Sequence, residues 1–233
     1  MTTYPDEFLQ KLPKTDLHVH LDGSLREETL IAIAKEEGVQ LPSDTPEGLN
    51  ELVFKDEYGS LDEYLRGFGL TNKVLQRPEY LDQVAYELAM DNFAEGVRHL
   101  EVRFAPQLHM GDERDFSTVM HAVDGGLRRA RREINNSIPD NEPPFDYGII
   151  VIAMRFFAPN FSDYYRDLTA VHRYAPQREV IQLASSELAR ATVQLRNESD
   201  VQVVAFDLAG SEHGNPAGEH QEAFEYVHKH FLK

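Results

Sequence analysis

The chain contains no cysteine. Disulfide frameworks are therefore excluded, and any zinc site has to be built from histidine and carboxylates. Zinc enzymes that hold the metal on one histidine and two cysteines are excluded with them. Positive charge is also scarce: 23 Lys and Arg stand against 40 Asp and Glu, a formal net charge of −17. That balance argues for no nucleic acid and no anionic membrane as partner, while leaving room for a local basic pocket. No apolar run approaches the ~20 residues of a membrane helix. The N-terminal MTTYPDEFLQKLPK lacks the apolar segment of a secretory signal. A soluble, cytoplasmic protein is the expectation. There is no internal repeat, no low-complexity tract and no G-x-G-x-x-G after a strand, so a dinucleotide site has no support.

What is present is a globular composition, 41% hydrophobic over 233 residues, enough for one sizeable core. Residues 1–233 read as a single domain. Four segments rich in Val, Ile, Leu and Phe read as parallel strands covered on both faces: Thr15 to Leu21, Val97 to Pro106, Tyr147 to Phe156 and Val201 to Gly210. Helical patterns lie between them. Ser24 and Glu27 have capping-box spacing ahead of LREETLIAIAKEE, which stops at Gly38. Ser60 and Glu63 repeat that spacing ahead of SLDEYLRGFGLTNKVLQ. YLDQVAYELAMDNFAEG, STVMHAVDGGLRRARREI, REVIQLASSELARATVQL and the tail PAGEHQEAFEYVHKHFLK are the other helical stretches. The alternation points to an α/β fold with a parallel sheet, and both a (βα)-barrel and a doubly wound sheet fit it.

The chemistry concentrates in TDLHVHLDGSLREE, residues 15–28. On a strand, side chains alternate faces. Leu17, Val19 and Leu21 would share one face, and Asp16, His18, His20 and Asp22 the other. Titratable groups on a covered face are costly unless paired or metal-bound. Same-face neighbours stand roughly 6.6 Å apart, so two imidazoles can converge on one ion at about 2.0–2.1 Å from each nitrogen. The pair falls near the C-terminal end of its strand, where barrel enzymes place their chemistry. The competing reading is a His pair satisfied by backbone. Glu101 with Arg103, and Val203, Ala205 and Asp207, would share faces of their strands, and inside a barrel their charges must pair with each other. Arg155 ends the third strand. The arginines of GLRRARREI read as a solvated helix face. His228 and His230 repeat the H-x-H spacing, but on a helix they diverge, and they read as last-turn cations.

PKTDLHVHLDGSLR resembles the N-terminal motif of the adenosine deaminase family, within the metal-dependent amidohydrolases. EVRFAPQLH (residues 101–109) and VVAFDLAGSE (residues 203–212) resemble two further family segments, in the right order. The resemblance covers essentially the whole chain. It implies a (β/α)8 TIM-type barrel, of which about the first four strands are present. It also implies one zinc ion at the C-terminal mouth, and hydrolytic deamination of adenosine or a related aminopurine nucleoside to inosine and ammonia, as in purine salvage. His18 and His20 match the zinc ligands, His20 also bordering the substrate. Asp22 matches the residue that bonds the ribose 5′-hydroxyl; relatives acting on adenine tend to carry Glu there. Gly210 matches the glycine whose N–H contacts the purine, and Tyr64 and Phe68 match the apolar lid. The family's third zinc histidine and its proton-donating Glu lie in a His-Ala-Gly-Glu segment that should begin a few residues after Phe231. No catalytic residue is therefore assigned within the sequence, and the expectation is an incomplete version of a longer enzyme. Two other readings remain open. One is a non-catalytic relative that binds a nucleoside or a protein partner. The other is a multi-metal phosphoesterase, which also opens with H-x-H but usually continues Ser-Asp-Gly.

Overall fold

A computed structural model describes residues 4–230 and Leu232, so Phe231 and Lys233, which end the tail helix in the sequence reading, lie outside the described residues. In chain order the elements begin with α1 (Asp6–Lys11), β1 (Lys14–His20), α2 (Glu27–Glu37), α3 (Pro46–Leu52), α4 (Leu61–Val74) and α5 (Pro78–Ala94). They continue with β2 (Val97–Phe104), α6 (Phe116–Ser137), β3 (Asp146–Met154), α7 (Asp163–Val171), α8 (Gln177–Glu198), β4 (Val203–Ala209) and α9 (Gln221–Lys229). The four strands form one sheet in the order β1-β2-β3-β4, and every pairing is parallel.

The two inner strands follow their patterns closely. β3, DYGIIVIAM, is buried from Tyr147 to Ala153, as a strand covered on both faces must be. In β2, Leu100, Val102 and Phe104 are fully buried on the helix-covered side. His99, Glu101 and Arg103 alternate with them on the other face and are only half-buried. A main core fills the space between the sheet and α2, α5, α6 and α8. A smaller cluster at the C-terminal end of the strands joins Leu108, Ile152, Phe157, Tyr165 and Ile181, with the Phe157 and Tyr165 rings stacked 4.0 Å apart.

The two outer strands depart from strict alternation. Asp16 pairs with Leu100 and Val19 with Val102, so β1 spends three steps where β2 spends two. This is a bulge. Asp16 Oδ1 accepts from the His18 N–H at 3.0 Å, which ties the extra residue locally. Leu17 consequently lies 53% exposed rather than sharing a core face with Val19 and Leu21, and Asp16 leaves the face of the two histidines. In β4, Val203 pairs with Ile149 and Ala205 with Ile150, again one residue too many. Val203 is therefore buried on the helix side, and only Ala205 and Asp207 keep the inward face assigned to all three.

Local chemistry sets several boundaries. β1 ends at His20, and Leu21–Gly23 form a 3₁₀ turn. Ser24 is not the cap of α2: its hydroxyl donates to His20 O at 2.7 Å, and the helix starts at Glu27. Gly38 does close that helix. At α4 the Ser60 hydroxyl accepts from the Glu63 N–H at 3.2 Å, and Glu63 reaches back to Gly59 N at 2.8 Å. The arginines of α6 are mostly paired rather than merely solvated: Arg128 with Asp124 and Asp200, Arg129 with Asp82, Arg131 with Asp146. His228 lies in the last turn of α9, as expected. No helix among the described residues is long and apolar enough to cross a membrane.

Candidate active site

β1 delivers its two histidines to one side of the sheet. The His18 and His20 ring centroids are 5.6 Å apart. Beside them, Arg103 of β2 holds Asp207 of β4 at 2.7 Å and also reaches His18 Nε2 at 3.2 Å. The inward charges of the sheet thus pair across three strands, as the sequence requires of them. His20 is pushed down to about 4, first by burial and then by the neighbouring Arg103 and His18. It is neutral near neutral pH, the form that can ligate a metal.

The 3₁₀ turn after β1 drives Asp22 inward, to 4% exposure. Burial lifts its carboxyl to about 7, and its Oδ1 has no hydrogen-bond partner. The 3.9 Å approach of Asp22 to His20 is therefore not an ion pair, since both groups shift toward their neutral forms. A carboxyl poised near 7 can donate to a hydroxyl or accept from one.

α4 roofs this corner. Phe68 meets His20 edge-on at 5.7 Å, Tyr64 meets Phe68 at 5.5 Å, and Tyr58 meets Tyr64 at 5.2 Å. Phe68 comes so close to the turn that a Cβ on Gly23 would lie 2.9 Å from its ring, so any larger residue there would push the ring aside. Beyond Phe68 opens a cavity of about 1020 Å³, lined among others by Leu65, Phe68, Met154, Phe161 and Gly210. Gly210 ends β4 with φ +110. An added Cβ there would meet Met154 at an ordinary 3.5 Å, so the backbone angle demands glycine more than the space does. Arg155 turns away to Glu212 at 2.9 Å.

Alternation grouped His18, His20 and Asp22, the family resemblance added Tyr64 and Phe68, and these five lie close together. Gly210 lines the same cavity as Phe68. Sequence reasoning missed the Arg103–His18 contact and gave no role to His109, although the quoted motif EVRFAPQLH ends on it. The described residues hold no group of three His, Cys, Asp or Glu that could bind a metal ion. Two imidazoles are what they supply. A tetrahedral zinc set needs more, so the residues present do not by themselves fit the ion.

A parallel βα sheet with an H-x-H pair at the C-terminal end of its first strand defines an α/β fold of the barrel class, and comparison with known proteins agrees. The structure of an adenine deaminase from Arthrobacter aurescens superposes with a TM-score of 0.71 at 19% identity, over 95% of this chain and 56% of that one. A zinc-bound amidohydrolase from Burkholderia ambifaria gives 0.67 at 19% identity, over 98% and 52%. The fold is that of the amidohydrolase TIM barrels, of which this chain spans just over half. A probable adenosine deaminase of Dictyostelium discoideum is 34% identical over 95% of this chain and 24% of its own length. An adenosine deaminase of Clostridium perfringens is 47% identical over 52% of this chain and 37% of its own length. The adenosine deaminase family model matches residues 13–233. The chain belongs to the adenosine deaminase family.

Proposed function

We propose that the chain serves the zinc-dependent hydrolytic deamination of adenosine or a related aminopurine nucleoside, in which water adds at C6 and ammonia leaves to give inosine. The observation that carries this reading is the convergence of the His18–His20 pair and the buried Asp22 beneath Phe68, whose other side lines a cavity of about 1020 Å³. His18 and His20 would be two of the zinc ligands, the rest of a tetrahedral set not being supplied by the described residues, and Lewis-acid activation of water is the chemistry such an ion supplies when bound. Asp22, with an unpartnered oxygen and a carboxyl near 7, suits a ribose 5′-hydroxyl. Gly210 offers backbone at the cavity wall for the purine. Tyr64 and Phe68 exclude water from the bound base. A small-molecule purine nucleoside is the partner, with one zinc per site.

Titration calorimetry with adenosine, 5′-deoxyadenosine and adenine tests this. Adenosine should bind most tightly, and removing the 5′-hydroxyl should cost about tenfold or more, because a buried polar oxygen is then left unpaired. No binding of any of the three would end the nucleoside reading. Equal binding of adenosine and its 5′-deoxy analogue would remove Asp22 from it.

A second reading is a nucleoside-binding relative without turnover. It is favoured by Arg103, which approaches the same His18 nitrogen that a metal would need. Adenosine binding with no release of ammonia in the presence of zinc would support it.

A further inference from the structure

The two ends of α4 are held very differently. At its C-terminal end Val74 and Leu75 are fully buried. The imidazole of His109, itself 0% exposed, bonds Leu75 O through Nδ1 at 2.9 Å. Because a carbonyl only accepts, Nδ1 must carry the proton. Gln76 Nε2 donates to Leu108 O at 3.2 Å, and Arg114 closes the clamp by donating to His109 O at 3.1 Å and Gln76 Oε1 at 3.4 Å. The N-terminal end has no such anchor on the barrel among the described residues. Leu61 is 52% and Tyr64 43% exposed; the contacts there are the Ser60 cap, the Lys55–Glu63 pair and the edge-on packing of Tyr64 on Tyr58 and Phe68, none of which reaches a strand. Between the two ends, Phe68 is flanked by Gly67 and Gly69, each of which weakens a helix interior by about 1 kcal/mol.

We infer that His109 is a positioning residue: it pins the C-terminal end of α4 to the segment after β2, and so fixes the pivot from which Phe68 is carried over the His18–His20 pair. The ring has no other visible employment. Its Nε2 is buried without a partner, a cost that is tolerated for the sake of the Nδ1 bond. Burial drives the group down to about 4, so it stays neutral and the clamp does not switch near neutral pH. Packing against Phe104 at 5.9 Å holds the ring plane, so the pin is rigid on the sheet side and acts only on the helix. The glycines on either side of Phe68 place the compliant part of α4 on the unanchored side of the pin. Tyr64 and Leu61 then swing with the free end, while Thr71 to Gln76 stay docked.

The consequence for the site rests on the nucleoside reading; the pin itself does not. The experiment therefore has two arms, both on the full chain. In the first, hydrogen exchange is followed by mass spectrometry without ligand. Amides of residues 61–68 should exchange at least ~10-fold faster than those of 71–76. His109→Ala should raise the 71–76 rates to match. His109→Asn, whose amide stands about where Nδ1 did, should restore the difference. Val193→Ala in α8 serves as a control that loses buried volume elsewhere and leaves the α4 gradient intact. If His109→Ala does not fold, Gln76→Leu carries the same expectation. A flat exchange profile along α4 in the wild type, or a gradient indifferent to His109, overturns the inference. In the second arm, adenosine affinity should fall about tenfold in His109→Ala and recover in His109→Asn. If the wild type binds no adenosine, the nucleoside reading fails while the exchange arm still decides the pin. If it binds and His109→Ala binds equally well, the pin has no bearing on the site and the positioning role is refuted.

Discussion

The two faces of the sheet divide the labour. On the helix-covered face, Leu100, Val102 and Phe104 of β2 are apolar and fully buried. On the inward face, the same strand carries His99 and Glu101, which approach each other, and Arg103, which meets His18 of β1 and Asp207 of β4. The outer face therefore supplies stability by removing apolar area from water, and the inner face spends some of it on groups that are awkward to bury. Asp22 Oδ1 and Arg103 Nε, both buried without partners, belong to the inward side.

This contrast can be broken most forcefully from the covered face. Phe104→Ala should cost about 3–5 kcal/mol in chemical denaturation, since a fully enclosed ring leaves a cavity that the neighbouring helices cannot fill. A loss under 1 kcal/mol would mean that this face is not the keel of the fold. The next effect lies at the mouth and depends on pH. The folded state raises the Asp22 carboxyl to about 7 from an ordinary 3.8. It therefore favours the protonated form, and that contribution is fully present below about pH 4 and lost as pH rises through 7. His20, lowered to about 4, works in the opposite sense over nearly the same window and masks the slope in the wild type. The difference between Asp22→Asn and wild type exposes it: the variant should match the wild type at pH 4 and gain in relative melting temperature up to about pH 7. A pH-independent difference would show that Asp22 ionises freely. Smaller again is Arg103→Leu. It strands the half-buried Asp207 and should cost about 1–2 kcal/mol, discounted for the solvent that still reaches the carboxylate. The smallest change sharpens the contrast by lying on neither face: Arg190→Ala, which breaks an exposed pair with Glu222, should shift stability by no more than about 0.5 kcal/mol.

How far the sequence could be read follows from the same geometry. β2 and β3 were legible because inner strands, paired on both sides, keep the period of two that the pattern assumes. β1 and β4 were legible as strands but not in register, since a bulge costs one residue and leaves no compositional mark. Asp16 is the example: alternation assigns it to the histidine face, whereas its side chain serves its own backbone. Ser24 failed as a cap because the strand end at His20 offered its hydroxyl a nearer carbonyl. The H-x-H pair survived although the bulge falls at Leu17–His18, because both rings still reach the same side of the sheet. His109 stood in plain view in a quoted motif, yet nothing local says that a residue after β2 bonds the end of a helix that precedes that strand by more than twenty residues. Only the fold brings Leu75 and His109 together.

The paired bulges also bear on how the molecule behaves in a crowded solution. Straight, flat border strands invite another chain to zip along them and start fibrous growth. Here each border is kinked by one surplus residue, at Leu17–His18 on one side and at Val204 on the other. A regular strand laid against either would lose its hydrogen-bond rhythm within a few residues, so the same irregularity that blurred the register restricts which strand can lie there.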